Sequence, residues 1–373
     1  MRTDLESLEQ FDAHLASGDS LAGVFVQSVD LRARSIALRS VAVTGAVFLG
    51  CELRLTDASA LARAGALVFP RLPDLPFDPY RPALYTPAEL YRGLENGYPA
   101  TTDAAIFAWS AAQLRPGRLE ADLAVALHDH SVTEALEQVL AGLDPAAVVG
   151  IMGGHAQQRG SGPYRASAEL AHDLAGVGFT VLSGGGPGAM EAANLGAAFT
   201  GTPGQLQAAI DDLAAADTWA TDITGWARSA LAVYRAHPCE RLSLGIPTWF
   251  YGHEPPNLFA TRIAKFFTNA LREDILLRLC RGGLIYLPGA AGTVQEVFQA
   301  VTPNFYAPQG QPVVPLVMVG SRYWTETMPV WPLLRALAAG RAMAPAVHLV
   351  DSTDEALAAL SPARPVAPPS ASG

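Results

Sequence analysis

Two glycine-rich turns, each placed between an apolar run and the start of a helix, constrain this chain more than any other feature. One lies in GGLIYLPGAAGTVQE at residues 282–296, and the other in VLSGGGPGAMEAA at residues 181–193. The first turn of a helix leaves backbone N–H groups unpaired, and the helix dipole adds positive potential there. Glycine lets a bound group approach the backbone closely. One such turn is typical of tight packing, but two of them predict a site for an anion.

The composition is that of a globular protein with a sizeable core, since half of the 373 residues are apolar and 16% are charged. No apolar run reaches the roughly 20 residues that cross a bilayer, and the first residues lack the apolar core of a signal peptide. We therefore expect a cytoplasmic protein with no membrane partner. The net charge of −10 argues against a nucleic-acid partner. Cys51, Cys239 and Cys280 lie far apart in the sequence, which predicts reduced and mostly buried thiols.

Residues 1–145 are predicted to form an N-terminal α+β extension. Between residues 31 and 53, apolar residues recur every five positions in two interleaved sets, which is the spacing of pentapeptide repeats that coil into a β-helix. Two ordinary strands across RSIALRSVAVTGAVFLG explain the same residues equally well. Helices are predicted over residues 87–94, 102–114 and 132–143.

From residue 146 the pattern changes to an alternation of apolar strands and helices. The strand-like runs are AAVVGIMGG, FTVLSGGG, LSLGIPTWF, GGLIYLPG and PVVPLVMVG, and helices are predicted over residues 164–175, 188–198, 258–280 and 293–302. Continuous apolar strands separated by helices predict a parallel sheet covered on both faces, which is a doubly wound, Rossmann-like α/β domain. We predict this domain over residues 146–360, with a helical insertion at 201–237. Residues 361–373, rich in Pro, Ser and Ala, are predicted to be a disordered tail.

Neither glycine turn matches the common nucleotide-binding signatures. No Gly-Lys-Ser/Thr follows either turn, so a Walker A loop is excluded, and GIMGGH lacks the third glycine of the dinucleotide fingerprint. In doubly wound sheets, ligands bind beyond the carboxyl ends of the strands, where both turns emerge. We therefore expect both turns to face one crevice, with the Thr293 hydroxyl at the start of the second helix.

The pairing of GGGPGAMEAANLGA at residues 184–197 with PGAAGTVQE at 288–296 resembles the LONELY GUY (LOG) family of nucleotide phosphoribohydrolases, long mislabelled as lysine decarboxylases. The likeness covers roughly residues 146–360 and includes the PLVMVGSRYW segment. It implies hydrolysis of the N-glycosidic bond of nucleoside 5′-monophosphates to free base and ribose 5-phosphate, and a homodimer or higher homo-oligomer. The chain is more similar to long bacterial members than to the short form that acts on cytokinin riboside 5′-monophosphates.

The resemblance assigns the catalytic arginine and reveals two departures from the family pattern. The family motif PGGxGTxxE has a second glycine where this chain has Ala290, and an alanine there requires a negative φ. The catalytic arginine corresponds to Arg272 after a shift of one residue, because position 273 is glutamate. Along the predicted helix 258–280, residues with three- or four-residue spacing share one face: Arg262, Lys265, Asn269 and Arg272. A solvated charged face would show the same spacing.

Glu296 is the predicted catalytic carboxylate, since it projects from the first turn of a helix beside the expected phosphate. There it can stabilise positive charge on the sugar, bind ribose hydroxyls or activate water. Stabilisation of the helix dipole, worth about 0.3–1 kcal/mol, is the structural alternative for Glu296 and also for Glu191. The predicted substrate-binding residues are Gly153, Gly154, Ser183, Gly185, Gly186, Gly188, Met190, Glu191, Arg262, Lys265, Gly289, Gly292 and Thr293.

These inferences predict a nucleotide hydrolase with Arg272 and Glu296 as catalytic residues and with no cofactor or metal. A non-catalytic nucleotide sensor on the same fold is the main alternative. Decarboxylation with pyridoxal phosphate is disfavoured because it would rest on Lys265, the only lysine in the sequence. His128 and His130 could form a metal pair, but no third ligand has suitable spacing, which favours a structural or surface role.

Overall fold

The computed structural model describes residues 3–113, 118–216, 218–237, 239–250 and 254–360. The chain divides into two compact units, one made of residues 1–84 with 108–136 and the other of residues 85–107 with those from 137 onward. Residues 85–107 therefore belong to the second unit, although the sequence assigned them to the N-terminal extension. The predicted tail at 361–373 lies outside the described residues.

The first unit contains, within its described residues, a four-stranded parallel sheet with the strands in chain order. The strands are β1 (Asp4–Leu5), β2 (Phe25–Gln27), β3 (Val47–Leu49) and β4 (Leu67–Phe69), and the helices between them are α1 (Leu8–Ala16), α2 (Ser35–Ser40) and α3 (Leu55–Arg63). Phe25 pairs with Val47, and Val47 pairs with Leu67. Successive strands are therefore spaced roughly 20 residues apart, as in a solenoid of strand–helix units.

Both interpretations of residues 31–53 are wrong. The segment contains helix α2 and the single strand β3, and Ile36, which the five-residue spacing would place inside, is 88% exposed. The buried residues instead repeat with the longer spacing of the strands, so that Val26 matches Phe48 and Val29 matches Cys51. This spacing resembles the L-x-x-L-x-L-x-x-N/C-x-L pattern of leucine-rich repeats, in which each unit buries its apolar face against the next.

Three helices follow, α4 (Pro87–Leu90), α5 (Thr102–Gln113) and α6 (Leu119–Leu140), where the sequence predicted helices. Helix α6 begins well before its predicted start. Its His128 is buried, with Nδ1 3.1 Å from Asp129 Oδ1, whereas His130 is exposed. No group of side chains suited to a metal ion occurs among the described residues. The structural role favoured for His128 is consistent with this burial.

The second unit is a doubly wound α/β domain, as predicted. Its described strands form a seven-stranded parallel sheet in the order β11-β10-β9-β5-β6-β7-β8. The strands are β5 (Val148–Met152), β6 (Thr180–Ser183), β7 (Ser243–Gly245), β8 (Arg262–Ile263), β9 (Gly283–Tyr286), β10 (Leu316–Val319) and β11 (Val347–Val350). The edge strands β8 and β11 were not predicted from the sequence.

The helices of this domain are α7 (Gly162–Gly176), α8 (Ala189–Ala198), α9 (Pro203–Ala214), α10 (Ile223–Ala236), α11 (Asn269–Leu279), α12 (Ala291–Tyr306), α13 (Val330–Ala338) and α14 (Thr353–Leu360). Helices α9 and α10 are the predicted insertion. The predicted helix over 258–280 is wrong in its first half, because that half contains β8 and only residues 269–279 are helical.

Helix α8 lies in the core because its side chains are small. It packs against α7, where a Cβ on Gly196 would lie 1.9 Å from the Ala168 carbonyl oxygen. Such close approach of two helix backbones is open only to glycine at that position. The first residues of α8 are held in the core directly after the glycine turn of β6, so the turn itself has little freedom to move.

The strand order reverses at β5. Strands β6 and β7 extend the sheet on one side of β5, whereas β9 to β11 extend it on the other. A crevice opens at the carboxyl ends of the strands at such a reversal, and ligands of doubly wound domains bind there. The turns that follow β5, β6 and β9 all emerge at this point.

Candidate functional site

A cleft of about 740 Å³ opens at the reversal point of the sheet. Its walls come from the segments after β5, β6 and β9, from the start of α12 and from α11. The sequence-predicted residues that line it are Gly153, Gly154, Gly186, Met190, Arg272, Gly289, Gly292, Thr293 and Glu296. The two glycine turns therefore face one crevice, as expected from the sequence.

Backbone hydrogen bonds fasten the three turns together. The Gly154 amide donates to the Pro288 carbonyl at 3.1 Å, and the Ala189 amide donates to the Gly154 carbonyl at 3.1 Å. Gly188 has a φ of +70°, and a Cβ there would lie 2.6 Å from the His155 carbonyl oxygen. Glycine is required at this position both for its positive φ and for the close approach of the β5 segment.

Helix α12 presents its first turn to the cleft. Ala290 precedes the helix with a φ of −93°, so this alanine has the negative φ that the sequence required where the resembled motif has a glycine. The first intrahelical bond is donated by Val294 to the Ala290 carbonyl. The amides before Val294 have no acceptor within the helix, and the helix dipole adds positive potential at the same place. This end of the cleft favours an anion.

We predict that Gly289→Ala destabilises the fold by about 1–3 kcal/mol, because overpacking of a fixed site has a cost of that size. A Cβ on Gly289 would lie 2.2 Å from Thr293 Oγ1 and 2.7 Å from Thr293 Cβ. Chemical denaturation of the purified variant measures the loss. Gly292→Ala is the matched control, since a Cβ there meets no atom within 4 Å. Equal stability of the two variants would contradict the tight contact between Gly289 and Thr293.

Three charged side chains meet on the floor of the cleft. Arg272 Nη1 donates to Glu273 Oε1 at 2.6 Å and lies 3.4 Å from Glu296 Oε1, while Arg272 Nε donates to the Ile246 carbonyl at 2.7 Å. All three side chains are buried, with 8% of Arg272 and 7% of Glu296 exposed. Glu273 Oε2 has no hydrogen-bond partner within the described part of the chain. An Arg–carboxylate cluster with spare acceptor capacity therefore faces the cleft.

Burial raises the pKa of Glu296 to about 7, because the charged carboxylate loses its hydration. The positive charge of Arg272 opposes this shift, and the negative charge of Glu273 adds to it. A carboxyl group with a pKa near neutrality can both accept and release a proton at cellular pH. This is the property required of a general acid or base.

Glycine at position 184 lets the arginine reach the β6 turn. A Cβ there would lie 2.4 Å from Arg272 Nη2, which is 3.4 Å from the Gly184 carbonyl oxygen. The arginine is thus held by backbone carbonyls from two strand ends in addition to its acidic partners. Its guanidinium has a fixed direction in the cleft, as a positioned catalytic or binding group requires.

Six of the predicted substrate-binding residues do not line this cleft. Ser183 and Gly185 support the β6 turn, since the Gly185 amide donates to Ser183 Oγ at 3.0 Å and Ser183 Oγ donates to Asn194 Oδ1 at 2.7 Å. Gly188 and Glu191 line a neighbouring cavity instead. The carboxylate of Glu191 is fully buried and accepts from Arg159.

Arg262 and Lys265 do not share a face with Arg272, because the segment that contains them is not helical. Arg262 is exposed on the edge strand β8, where Nη1 donates to the Thr261 carbonyl. Lys265 is buried, and its Nζ donates to Asp103 Oδ1 at 2.8 Å. Both predicted substrate contacts are therefore wrong for this cleft. The lysine that a decarboxylase mechanism would require also lies outside the cleft-lining residues.

Several lining residues were not identified from the sequence. Glu273 is the most important, since its carboxylate contacts Arg272 inside the cleft. His155 and Glu254 form a pair at 3.1 Å, and the hydrogen bond to Glu254 raises the pKa of His155. Tyr323 donates its hydroxyl to the Gly289 carbonyl at 2.8 Å, which ties the segment after β10 to the β9 turn. The Tyr323 contact lies in the PLVMVGSRYW segment on which the family resemblance partly rests.

Among the described helices, none combines the length and apolarity that a bilayer crossing requires. The three cysteines are buried and unbridged, as predicted from their spacing.

No family model and no curated protein matches this sequence. Among solved structures, the molybdenum cofactor binding protein from the phototrophic bacterium Rippkaea orientalis is 15% identical, with a TM-score of 0.35 over 57% of this chain and 93% of that chain. The Moco carrier protein from Chlamydomonas reinhardtii is 17% identical, with a TM-score of 0.32 over 58% of this chain and 96% of that chain. Similarities of this size support no conclusion about function.

Proposed function

We propose that this protein hydrolyses the N-glycosidic bond of nucleoside 5′-monophosphates, releasing a free base and ribose 5-phosphate. The observation that carries the proposal is the pair of Arg272 and Glu296, 3.4 Å apart and buried in a cleft that ends at the first turn of α12. Membership of the LOG family, and the homo-oligomer that the resemblance implies, belong to the same proposal.

The phosphate would bind at the start of α12. Unpaired amides of the first helical turn and the Thr293 hydroxyl supply donors, and the adjoining glycines allow close approach. Arg272 is the one Arg or Lys side chain among the described residues that line the cleft, where Glu254, Glu273 and Glu296 are also present. With so little positive side-chain charge, the anion must depend largely on the helix terminus and on Arg272.

The ribose would then lie beside Glu296. Cleavage of the glycosidic bond builds positive charge on the sugar ring, which a nearby carboxylate stabilises. In the same position Glu296 can take a proton from the attacking water while the water oxygen bonds to C1′. The bond from C1′ to the base breaks, and the base leaves with its electron pair and takes a proton from solvent, which is balanced by the proton that Glu296 takes from the attacking water. Arg272 holds Glu296 in place and lowers its pKa relative to that of an unpaired buried acid.

Hydrolysis is tested by incubating the purified protein with AMP, GMP, CMP, UMP and dTMP and measuring the free base by chromatography. Release of a base from at least one nucleotide supports the proposal. Tight binding of a nucleotide without release would favour the alternative, a non-catalytic nucleotide sensor. If none of the nucleotides is bound or cleaved, the proposal is wrong.

The pH dependence of turnover should report on Glu296. If the ionised carboxylate is the active form, kcat/KM is high above the pKa of about 7 and is lost as the pH falls through it. Since the negative charge of Glu273 raises the pKa of Glu296, Glu273→Gln should move this acidic limb to lower pH. The measurement is kcat/KM as a function of pH for both proteins.

The control for this prediction is Asp274→Asn, which removes an exposed carboxylate from the same helix. Solvent and salt screen such a charge, so the acidic limb of the pH profile should stay at the same pH in this variant. A limb that does not move in Glu273→Gln would show that another group controls the pH dependence.

A further inference from the structure

A second cavity of about 490 Å³ adjoins the cleft. The two cavities share the wall formed by His155, Ala156 and Gln157, which follow β5. The far wall of the second cavity comes from the connection between α9 and α10 and from the start of α10. The helical insertion at 201–237 thus builds a compartment directly beside the proposed phosphate and ribose site.

Two tryptophans of the insertion line this cavity. Trp219 is half-buried, and its ring meets the His155 ring edge-on, with the ring centres 6.0 Å apart. Trp226 is buried, and the Arg159 guanidinium covers its ring at 4.6 Å. Since Arg159 already covers Trp226, Trp219 is the aromatic face that remains for a ligand.

The charges at this cavity are paired within the protein. Arg159 Nη2 lies 2.5 Å from Glu191 Oε1, and Arg159 Nη1 donates to Ser229 Oγ at 2.8 Å and to the Trp226 carbonyl at 3.1 Å. Both side chains of this ion pair are buried. A guanidinium with this many partners is not available to bind an anion. The cavity therefore fits a neutral group rather than a second phosphate.

Gln157 supplies an unused polar contact. Its Oε1 is buried and has no hydrogen-bond partner within the described residues, although the side chain lines both cavities. A buried acceptor without a donor destabilises the protein, and a ligand N–H group would relieve that cost. The residues lining the cavity thus offer an aromatic face and one hydrogen-bond acceptor, and their charged groups are paired.

We propose that this second cavity binds the base of the nucleotide, with Trp219 stacking on the base and Gln157 accepting a hydrogen bond from its edge. Nucleobases are planar, neutral and edged with N–H groups, and stacking on aromatic side chains is a general way to hold them. The inference rests on the proposed function only in placing the phosphate and ribose in the adjoining cleft. It assigns the choice of base to the insertion rather than to the glycine turns.

The test compares the binding of AMP with that of ribose 5-phosphate by isothermal titration calorimetry. Trp219→Ala should weaken AMP binding about tenfold or more, a typical loss for one stacked base, and should leave ribose 5-phosphate binding unchanged. Trp219→Phe should retain most of the affinity for AMP. Unchanged binding of ribose 5-phosphate shows that the cleft is intact in each variant.

Gln157→Ala is an independent second variant, and it should weaken AMP binding without affecting ribose 5-phosphate. Trp331→Ala is the matched control, since Trp331 lies on α13 and lines neither cavity. Equal AMP affinity in the wild type, Trp219→Ala and Gln157→Ala would overturn the base site but leave the hydrolase proposal standing. Selective loss of AMP binding in a protein that cleaves none of the five nucleotides would support the base site and refute the hydrolase.

Discussion

Replacing Glu296 by glutamine is expected to lower kcat for nucleotide hydrolysis about a thousandfold, while the Kd for the nucleotide stays within about tenfold. Glutamine retains the size and the hydrogen-bonding capacity of the side chain, so the cleft should keep its shape. It removes the negative charge that would stabilise the sugar cation and the basic oxygen that would take a proton from water. Single-turnover assays measure the first quantity, and calorimetry with the unhydrolysed nucleotide measures the second.

The burial of Glu296 makes this prediction specific. Arg272 and Glu273 are its charged neighbours, so loss of one carboxylate leaves a neutral Arg–Glu pair rather than an isolated charge. Protein stability should therefore change little, and loss of activity cannot be attributed to unfolding. Glu137→Gln is the matched control, since that acid is half-exposed and pairs with Arg278 away from the cleft residues. Near-normal turnover in Glu296→Gln would refute the proposed mechanism.

The walls of the cleft could be predicted from the sequence because their strands are buried on both faces. Residues 148–152 and 283–286 are buried throughout. Both strands therefore appear in the sequence as unbroken apolar runs, whichever way each side chain points. Glycines follow both runs, directly after Met152 in the first and after Leu287 and Pro288 in the second, and strand ends of a parallel sheet meet at one edge. The local sequence was therefore sufficient to predict that Gly153, Gly289 and Glu296 lie close together.

The predicted helix over 258–280 failed because spacing alone does not establish a helix. Arg262, Lys265 and Arg272 satisfy the helical period, but most residues of 258–268 are buried, without the alternation of exposed and buried faces that a surface helix shows. The charge of Lys265 is satisfied by Asp103, which lies 162 positions earlier in the chain. No local pattern reveals a contact of that range.

Glu273 and Trp219 could not have been found from the sequence for related reasons. Adjacent residues of a helix point about 100° apart, so the helical pattern placed Glu273 on a different face from Arg272. The two side chains meet because the guanidinium extends far enough for Nη1 to reach Glu273 Oε1. Trp219 lies in a turn between α9 and α10, and its contact with His155 depends on how the insertion packs on the segment after β5.

The two glycine turns imply a bound anion. If the start of α12 binds the 5′-phosphate, kcat/KM for AMP should exceed that for adenosine by at least about a hundredfold, because the bound dianion supplies binding energy that orients the sugar for attack. Ribose 5-phosphate and inorganic phosphate should compete with AMP, whereas ribose should not. Steady-state kinetics with the two substrates and inhibition assays with the three competitors measure these differences.

The charge distribution of the cleft makes the opposite result equally informative. Glu254, Glu273 and Glu296 line the same cavity as Arg272, so a phosphate placed anywhere except at the helix terminus would meet carboxylates. An uncharged nucleoside would meet no such repulsion. Comparable kcat/KM values for adenosine and AMP would therefore mean that the turns after β6 and β9 serve strand–helix packing alone. A large preference for AMP would instead place the phosphate at the first turn of α12, with Glu296 beside the bond to be cleaved.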